Sequence, residues 1–320
     1  MGKRLKACLY LLLASFIWGI ASPVIKYTLS FVEPFSFLFW RFLLTSIIIL
    51  PLFIIYLKKN KIKLRLKRLI KISLLGFLGT TFSLSFLFIG YKYTTAIDGV
   101  LLYSVAPILV VIGGALFLKE EVTNWEKLGA GLAFIGSLVT IIQPLLEGQA
   151  FTQSNVKGNI LVFLSAATWA LYCLLVRKFG SQNNGKPFVL TSISFIVAFI
   201  TIIPLFLLEN YLKNDYLKSV FLNAQPLFSL DLRAVPGIIY MSLFSTIIAF
   251  FAYNMGFSLI EASEATVFDY LKPVIAAPIA VLWLKEIITL PFLIGALLIA
   301  LGVFLTEYKT RKGLAKIREK

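Results

Sequence analysis

Asp269 and Lys272 stand three residues apart in the middle of an apolar run, Ser263–Leu284. Opposite charges at that spacing share one face of a helix. Ionisable groups so deep in an apolar run are costly, and by default they belong to a site. Pro273 follows directly; having no amide hydrogen, it leaves the carbonyl of Asp269 without its helical donor. Pro107 does the same to the carbonyl of Tyr103 in an earlier run. A carboxylate, an ammonium and two loosened carbonyls suit a small zwitterion, and Lys272 alone suits a carboxylate or phosphate. The two residues can equally neutralise one another as a structural ion pair, and at this point both readings stand. Tyr103, Tyr253, Asn254 and Tyr270 are further polar groups inside runs, and Trp18 and Trp169 lie well inside theirs. Each is either cavity lining or ordinary helix packing. Arg41, roughly 10 Å into its run, is expected to reach the outer headgroups or pair with Glu33 rather than meet a substrate. Asp98, Glu261 and Glu264 fall at run ends and are expected to face water.

Several other chemistries drop out. There is no histidine, which removes histidine metal sites, Ser-His and Cys-His dyads and histidine proton relays. Cys8 and Cys173 sit in apolar runs and read as unpaired, buried thiols. Gly180–Lys186 spells most of a phosphate-binding loop, but Pro187 replaces the metal-binding hydroxyl and no strand precedes it. No cofactor and no metal are expected. The basic run Lys58–Arg68 suits membrane topology and anionic headgroups better than nucleic acid.

The elements that must position these residues follow from composition. Of 320 residues 59% are hydrophobic and only 14% charged, against about 25% charged in soluble domains. A spanning helix takes about 20 apolar residues. Runs of that kind cover Ala7–Tyr27, Pro34–Leu57, Leu69–Gly90, Ala96–Leu118 and Trp125–Ile142. They resume at Gly158–Val176, Pro187–Leu208, Ala234–Phe257, Ser263–Leu284 and Thr289–Tyr308. The fold expected is an all-α polytopic membrane protein with ten transmembrane helices. The long connection Glu209–Arg233 is either an interfacial helix or a loop. The first run follows basic residues as a signal peptide would, but it has a counterpart in the second half and is expected to be retained. With the N terminus in the cytoplasm, 22 of the 31 Lys and Arg residues fall on the cytoplasmic side. Both termini are therefore expected there, in a cytoplasmic membrane, and the formal charge of +16 needs no acidic partner.

The chain repeats itself. At an offset of 166 residues, Thr80, Gly90, Pro107, Gly129, Gly136 and Thr140 meet Thr246, Gly256, Pro273, Gly295, Gly302 and Thr306. Leu118-Lys119-Glu120 likewise meets Leu284-Lys285-Glu286, and Ala96–Thr140 holds twelve identities in 45 positions. The first and sixth runs correspond at a shorter offset, through Trp18 with Trp169 and Lys26 with Arg177. Residues 1–145 are read as one five-helix repeat, 146–156 as a connection, 157–308 as the second repeat and 309–320 as a basic cytoplasmic tail. Five spans is an odd number, so the second copy is inverted, a transporter signature. The glycines seven apart are expected to let helices approach closely.

Each copy has a Pro-bearing fourth helix, a Leu-Lys-Glu end and a Gly-rich fifth helix. With Phe35–Phe42 (Phe-Ser-Phe-Leu-Phe-Trp-Arg-Phe), this resembles the EamA branch of the drug/metabolite transporter superfamily over nearly the whole chain. The resemblance implies a cavity lined by helices 1, 3, 4, 6, 8 and 9. The lysine of the Leu-Lys-Glu end is usually a glycine in that family. The expectation is thus a secondary transporter, an exporter of a small polar organic metabolite with an amino acid preferred, acting as a monomer or homodimer. The competing reading is a membrane-embedded, lipid-modifying enzyme, which calls for catalytic residues clustered at one interface.

Overall fold

The structure, a computed structural model, describes residues 3–318 except 63, 119–123, 147–154, 181–186, 214–229, 258 and 260–266. The described residues contain no strand. In hydrocarbon every backbone N–H must bond within its own segment, which a helix achieves. Helix α1 covers Lys3–Thr28, α2 Pro34–Lys59 and α3 Leu66–Tyr93. Helix α4 comes in two pieces, Ala96–Tyr103 and Ala106–Leu118. Then follow α5 (Asn124–Leu146), α6 (Val156–Gly180) and α7 (Pro187–Lys213). Helix α8 starts with a 3-10 turn at Leu232–Ala234 and ends with Ala249–Phe257. Helix α9 combines a 3-10 turn, Val267–Tyr270, an α stretch, Leu271–Ile279, and a π stretch, Ala280–Leu284. Helix α10 covers Leu290–Arg318, continuing through the basic segment expected as a tail.

Seven of these helices are long and apolar enough to cross a membrane: α1 to α4 and α6 to α8. Helices α5 and α10 hold shorter apolar stretches, Lys127–Gln143 and Leu290–Gly302. Large apolar side chains cover the outside; Ile47, Ile55, Leu116, Phe117, Leu297 and Phe304 are all 60% exposed or more. Such a surface suits lipid and would aggregate in water. The connection expected at Glu209–Arg233 lies largely outside the described residues, apart from the end of α7 and the start of α8.

Two kinds of contact hold the helices in register. The first is close backbone approach. A β-carbon on Gly136 of α5 would lie 2.8 Å from the carbonyl oxygen of Gly295 on α10, and one on Gly302 of α10 would collide with the carbonyl oxygen of Gly129 on α5. The contact is reciprocal, because Gly136 and Gly129 are the 166-residue counterparts of Gly302 and Gly295. A second reciprocal pair joins α3 to α6 and α8 to α1. Gly90 abuts Gly158 and Val162, while Gly256 abuts Ala7 and Leu11.

The second kind is carboxylate capping between elements. Glu209 near the end of α7 accepts from the amides of Phe35 (3.0 Å) and Ser36 (2.8 Å), the open N–H groups that begin α2. Glu286 accepts from the amides of Ala96 (2.6 Å) and Ile97 (3.0 Å) at the start of α4. The chain reaches that position through Lys285, whose φ of 57° lies in the left-handed region. Glycine adopts this region without the steric cost that a β-carbon brings, which accounts for the glycine that the family resemblance leads one to expect here. Lys285→Gly is expected to raise stability by about 1 kcal/mol, read as a higher thermal midpoint with unchanged chromatographic behaviour.

Candidate functional site

The helices enclose a cavity of about 930 Å³, its open mouth included. Its position follows from irregularities in the helices that line it. Helix α3 widens to π geometry at Phe77–Phe82, and α8 does so at Tyr240–Ile248. Such bulges leave side chains and carbonyls out of the regular ladder and gather at functional sites. Helix α4 breaks at Ser104–Val105, two residues ahead of Pro107, and α9 changes from 3-10 to α geometry at Tyr270–Leu271, ahead of Pro273. The prolines release the carbonyls of Tyr103 and Asp269, and both residues line the cavity.

Helix α1 holds the broken α9. Ser15 Oγ donates to the carbonyl of Phe268 over 2.7 Å, and Gly19 is small enough for Ile275 to press against it. One residue before Gly19, Trp18 spreads its ring over the lysine, with Lys272 Nζ 4.6 Å from the ring centroid. Such a contact adds cation–π attraction to the site. Lys272 Nζ is also 2.9 Å from Asp269 Oδ1, but off the line of a hydrogen bond. The other oxygen, Oδ2, accepts a long bond of 3.4 Å from the Tyr253 hydroxyl. The pair is buried, with side chains 16% and 12% exposed.

Around this pair lies an aromatic box, of which Trp18, Trp169 and Tyr253 were expected and Phe250 and Phe195 were not. Trp18 Nε1 donates to the carbonyl of Ser245 over 3.0 Å, within the π stretch of α8. Phe250 is the common neighbour, its ring 5.3 Å from Trp18, 6.3 Å from Trp169 and 5.4 Å from Phe195. Tyr253 meets Trp18 at 5.0 Å. Phenylalanine in a run apolar on all sides carries no mark of the face it occupies, so nothing in the sequence singled out Phe250 or Phe195.

Six of the eight residues expected at a site line this one cavity: Lys272, Asp269, Tyr103, Tyr253, Trp18 and Trp169. Tyr270 is half-buried and is not part of the lining. The side chain of Asn254 lies outside the described residues, as do Glu261 and Glu264. Two expectations need correction. Arg41 neither snorkels nor pairs with Glu33, whose carboxylate is engaged by Lys92. It is 4% exposed and lines the cavity, and its Nε donates to Thr246 Oγ1 over 2.9 Å. Rings of Phe42 and Phe88 flank the guanidinium at 5.4 and 5.6 Å. Depth alone misled here. Phe37, Leu38 and Thr45, each 0% exposed, mark a face of α2 that points inward, and the polar Thr45 and Ser46 are its legible signs. Asp98, expected in water, is 2% exposed within electrostatic reach of Lys26. The short turn after α3 tucks the start of α4 under Tyr91. The lining is also broader than the resemblance implies, since Arg41 and Phe42 of α2 and Phe195 of α7 contribute.

One end of the cavity is bound across three helices. Ser22 Oγ is hydrogen-bonded to the Tyr91 hydroxyl and to the carbonyl of Ala96, and Lys26 Nζ donates to the carbonyl of Tyr91. With Glu286 on the amides of α4, these bonds tie α1, α3, α4 and the link between α9 and α10 together at that end.

A family model described as the EamA-like transporter family matches residues 5–142 and again 156–308. The chain belongs to this family. An uncharacterized transporter of Bacillus subtilis (strain 168), YyaM, is 30% identical over 301 residues, covering 94% of this chain and 93% of the relative. A Salmonella typhimurium protein (strain LT2) named a probable amino-acid metabolite efflux pump is 28% identical over 307 residues, 94% of each. A solved crystal structure shares the fold at a TM-score of 0.59 and 16% identity, over 97% of this chain and 99% of the other. The EamA-like chain described here is thus a multi-pass membrane protein whose named relatives are transporters. Its cavity adds what a family name does not: among the described residues, two cations, Arg41 and Lys272, and one carboxylate, Asp269, line it together with an aromatic box.

Proposed function

We propose that this EamA-like protein is a secondary transporter that carries a small polar organic metabolite across the cytoplasmic membrane by alternating access. The single observation that carries the reading is the cavity itself, with a charged pair set among aromatic rings where two proline-bearing helices lose their regular hydrogen bonds. Interrupted helices at a shared centre are the usual form of a transporter's site. Lys272, Asp269, Tyr103, Tyr253, Trp18 and Trp169 are the proposed substrate contacts. Amino acids and their derivatives are the first class to test, because the Asp269–Lys272 pair suits a zwitterion and one relative is named for amino-acid metabolite efflux.

Ten spans in two inverted halves complete the proposal, with both termini cytoplasmic. The reciprocal contacts of Gly136 with Gly295 and Gly302 with Gly129 support it, as do the matching π stretches in α3 and α8. A two-fold arrangement of this kind offers inward- and outward-open states of equal construction. On the orientation proposed, the end bound by Ser22, Tyr91 and Lys26 is the outer one, held shut. The test is counterflow of labelled amino acids in proteoliposomes. Saturable, temperature-dependent exchange is expected for at least one of them. Turnover of a lipid by the purified protein, with no solute exchange, would overturn the reading in favour of a membrane enzyme.

A further inference from the structure

Arg41 has a counterpart in the other half of the molecule, and the comparison separates what packing requires from what it does not. Ser242 Oγ on α8 donates to the carbonyl of Arg41 over 3.1 Å, and Thr246 accepts from Arg41 Nε. Move 166 residues back to Gly76 and Thr80 of α3, and the residue they contact is Ser194 of α7. Gly76 presses against the Ser194 backbone, and Thr80 Oγ1 donates to the Ser194 carbonyl over 3.3 Å. Ser194 therefore does in one half what Arg41 does in the other, with a side chain of two heavy atoms and no charge. In that half the space beside Thr80 is filled by Tyr172, whose ring packs against Gly79. At the position 151 residues earlier stands Ala21, which leaves room for a guanidinium and lines the cavity with it.

Packing thus accounts for a small polar residue at this place but not for a cation. Of the Arg41 nitrogens only Nε has a protein acceptor among the described residues, and no carboxylate pairs with the side chain there. The guanidinium of a residue only 4% exposed is costly to leave uncompensated. Among the described residues, the charged members of the lining are Arg41, Lys272 and Asp269. Lys272 and Asp269 compensate one another, which leaves one positive charge, at Arg41.

We propose that Arg41 is the anion anchor of the cavity and that the cargo is an organic carboxylate with an apolar, preferably planar body. The carboxylate takes the open Nη edge, which is matched to two oxygens at once. The body lies against Trp18, Trp169 and Phe250. The proposal deepens the transport reading and rests on it. An α-amino group is compatible with this anchor but is not what the anchor reads.

Three probes of one skeleton test it on the purified full chain: 3-phenylpropionate, phenylalanine and phenethylamine, each in a thermal-shift titration and in counterflow. Either carboxylate is expected to raise the thermal midpoint saturably, and the amine is not. The first carboxylate alone points to simple organic acids; phenylalanine alone or both points to amino acids. Arg41→Ser, the residue its counterpart carries, is expected to raise the half-saturating concentration roughly ten- to a hundredfold. Arg41→Lys keeps the charge but not the fork, so it should retain the preference for carboxylate over amine at weaker affinity. That variant carries the test if Arg41→Ser does not fold. Equal stabilisation by phenethylamine, no shift with either carboxylate, or unchanged affinity in Arg41→Ser would overturn the anchor. Carboxylate binding without flux would instead sink the transport reading alone, and flux indifferent to Arg41→Ser would sink the anchor alone.

Discussion

Lys272→Met is expected to abolish exchange and to lower the thermal midpoint by several degrees, and the cause of each loss can be separated. Removing the ammonium leaves the Asp269 carboxylate, on a side chain 12% exposed, with a long hydrogen bond from Tyr253. Breaking a buried pair from one side costs about 3–5 kcal/mol, whereas replacing both partners together is often close to neutral. The double variant Asp269→Asn/Lys272→Met should therefore recover the midpoint of the parent protein. If the pair binds cargo, exchange stays lost in the double variant although the fold is restored. If the pair is only a structural neutralisation, exchange returns with stability. Counterflow and a melting curve on the same three preparations decide between the two readings that the sequence left open.

The second large effect is expected far from the cavity. Gly136→Leu should abolish recovery of monodisperse protein, because helices α5 and α10 meet through bare backbone. A β-carbon there would stand 2.8 Å from the Gly295 carbonyl oxygen and 2.9 Å from Ile299. Overpacking a core costs about 1–3 kcal/mol when side chains can yield, and here the obstacle includes backbone on a second helix. Without a hydrophobic force to draw helices together in lipid, close packing of small residues does that work. Gly131→Leu on the same helix is the control, since nothing lies within 4 Å of its β-carbon position. It should yield protein of parent stability by fluorescence-detected chromatography and melting. Equal yields from the two variants would remove the contact from the account of stability.

Much of the site was readable because charge and proline are conspicuous against an apolar background. Asp269, Lys272, Pro107 and Pro273 stand out by type and by depth in their runs, and the first two line the cavity. Trp18 and Trp169 were legible through the repeat, as a matched pair of large rings. Arg41 is equally conspicuous, yet its sequence position does not reveal that it faces the cavity. Its depth fits snorkelling as well as burial, and only the direction of its helix face separates the two. Asp98 failed for a related reason: the end of a run is water-facing only if the next helix does not fold over it.

The membrane, the helical character, the internal repeat and the list of groups able to do chemistry are legible in the order of residues alone. All of these follow from composition, period and identity along one chain. Tertiary structure decided which sides of those helices face one another. In a helix apolar all round, the lipid face and the core face have the same hydropathy, so no periodicity distinguishes them. Side-chain size and the positions of glycines then decide which helices touch, and those contacts turned Arg41 inward and gathered Phe250 and Phe195 around the tryptophans.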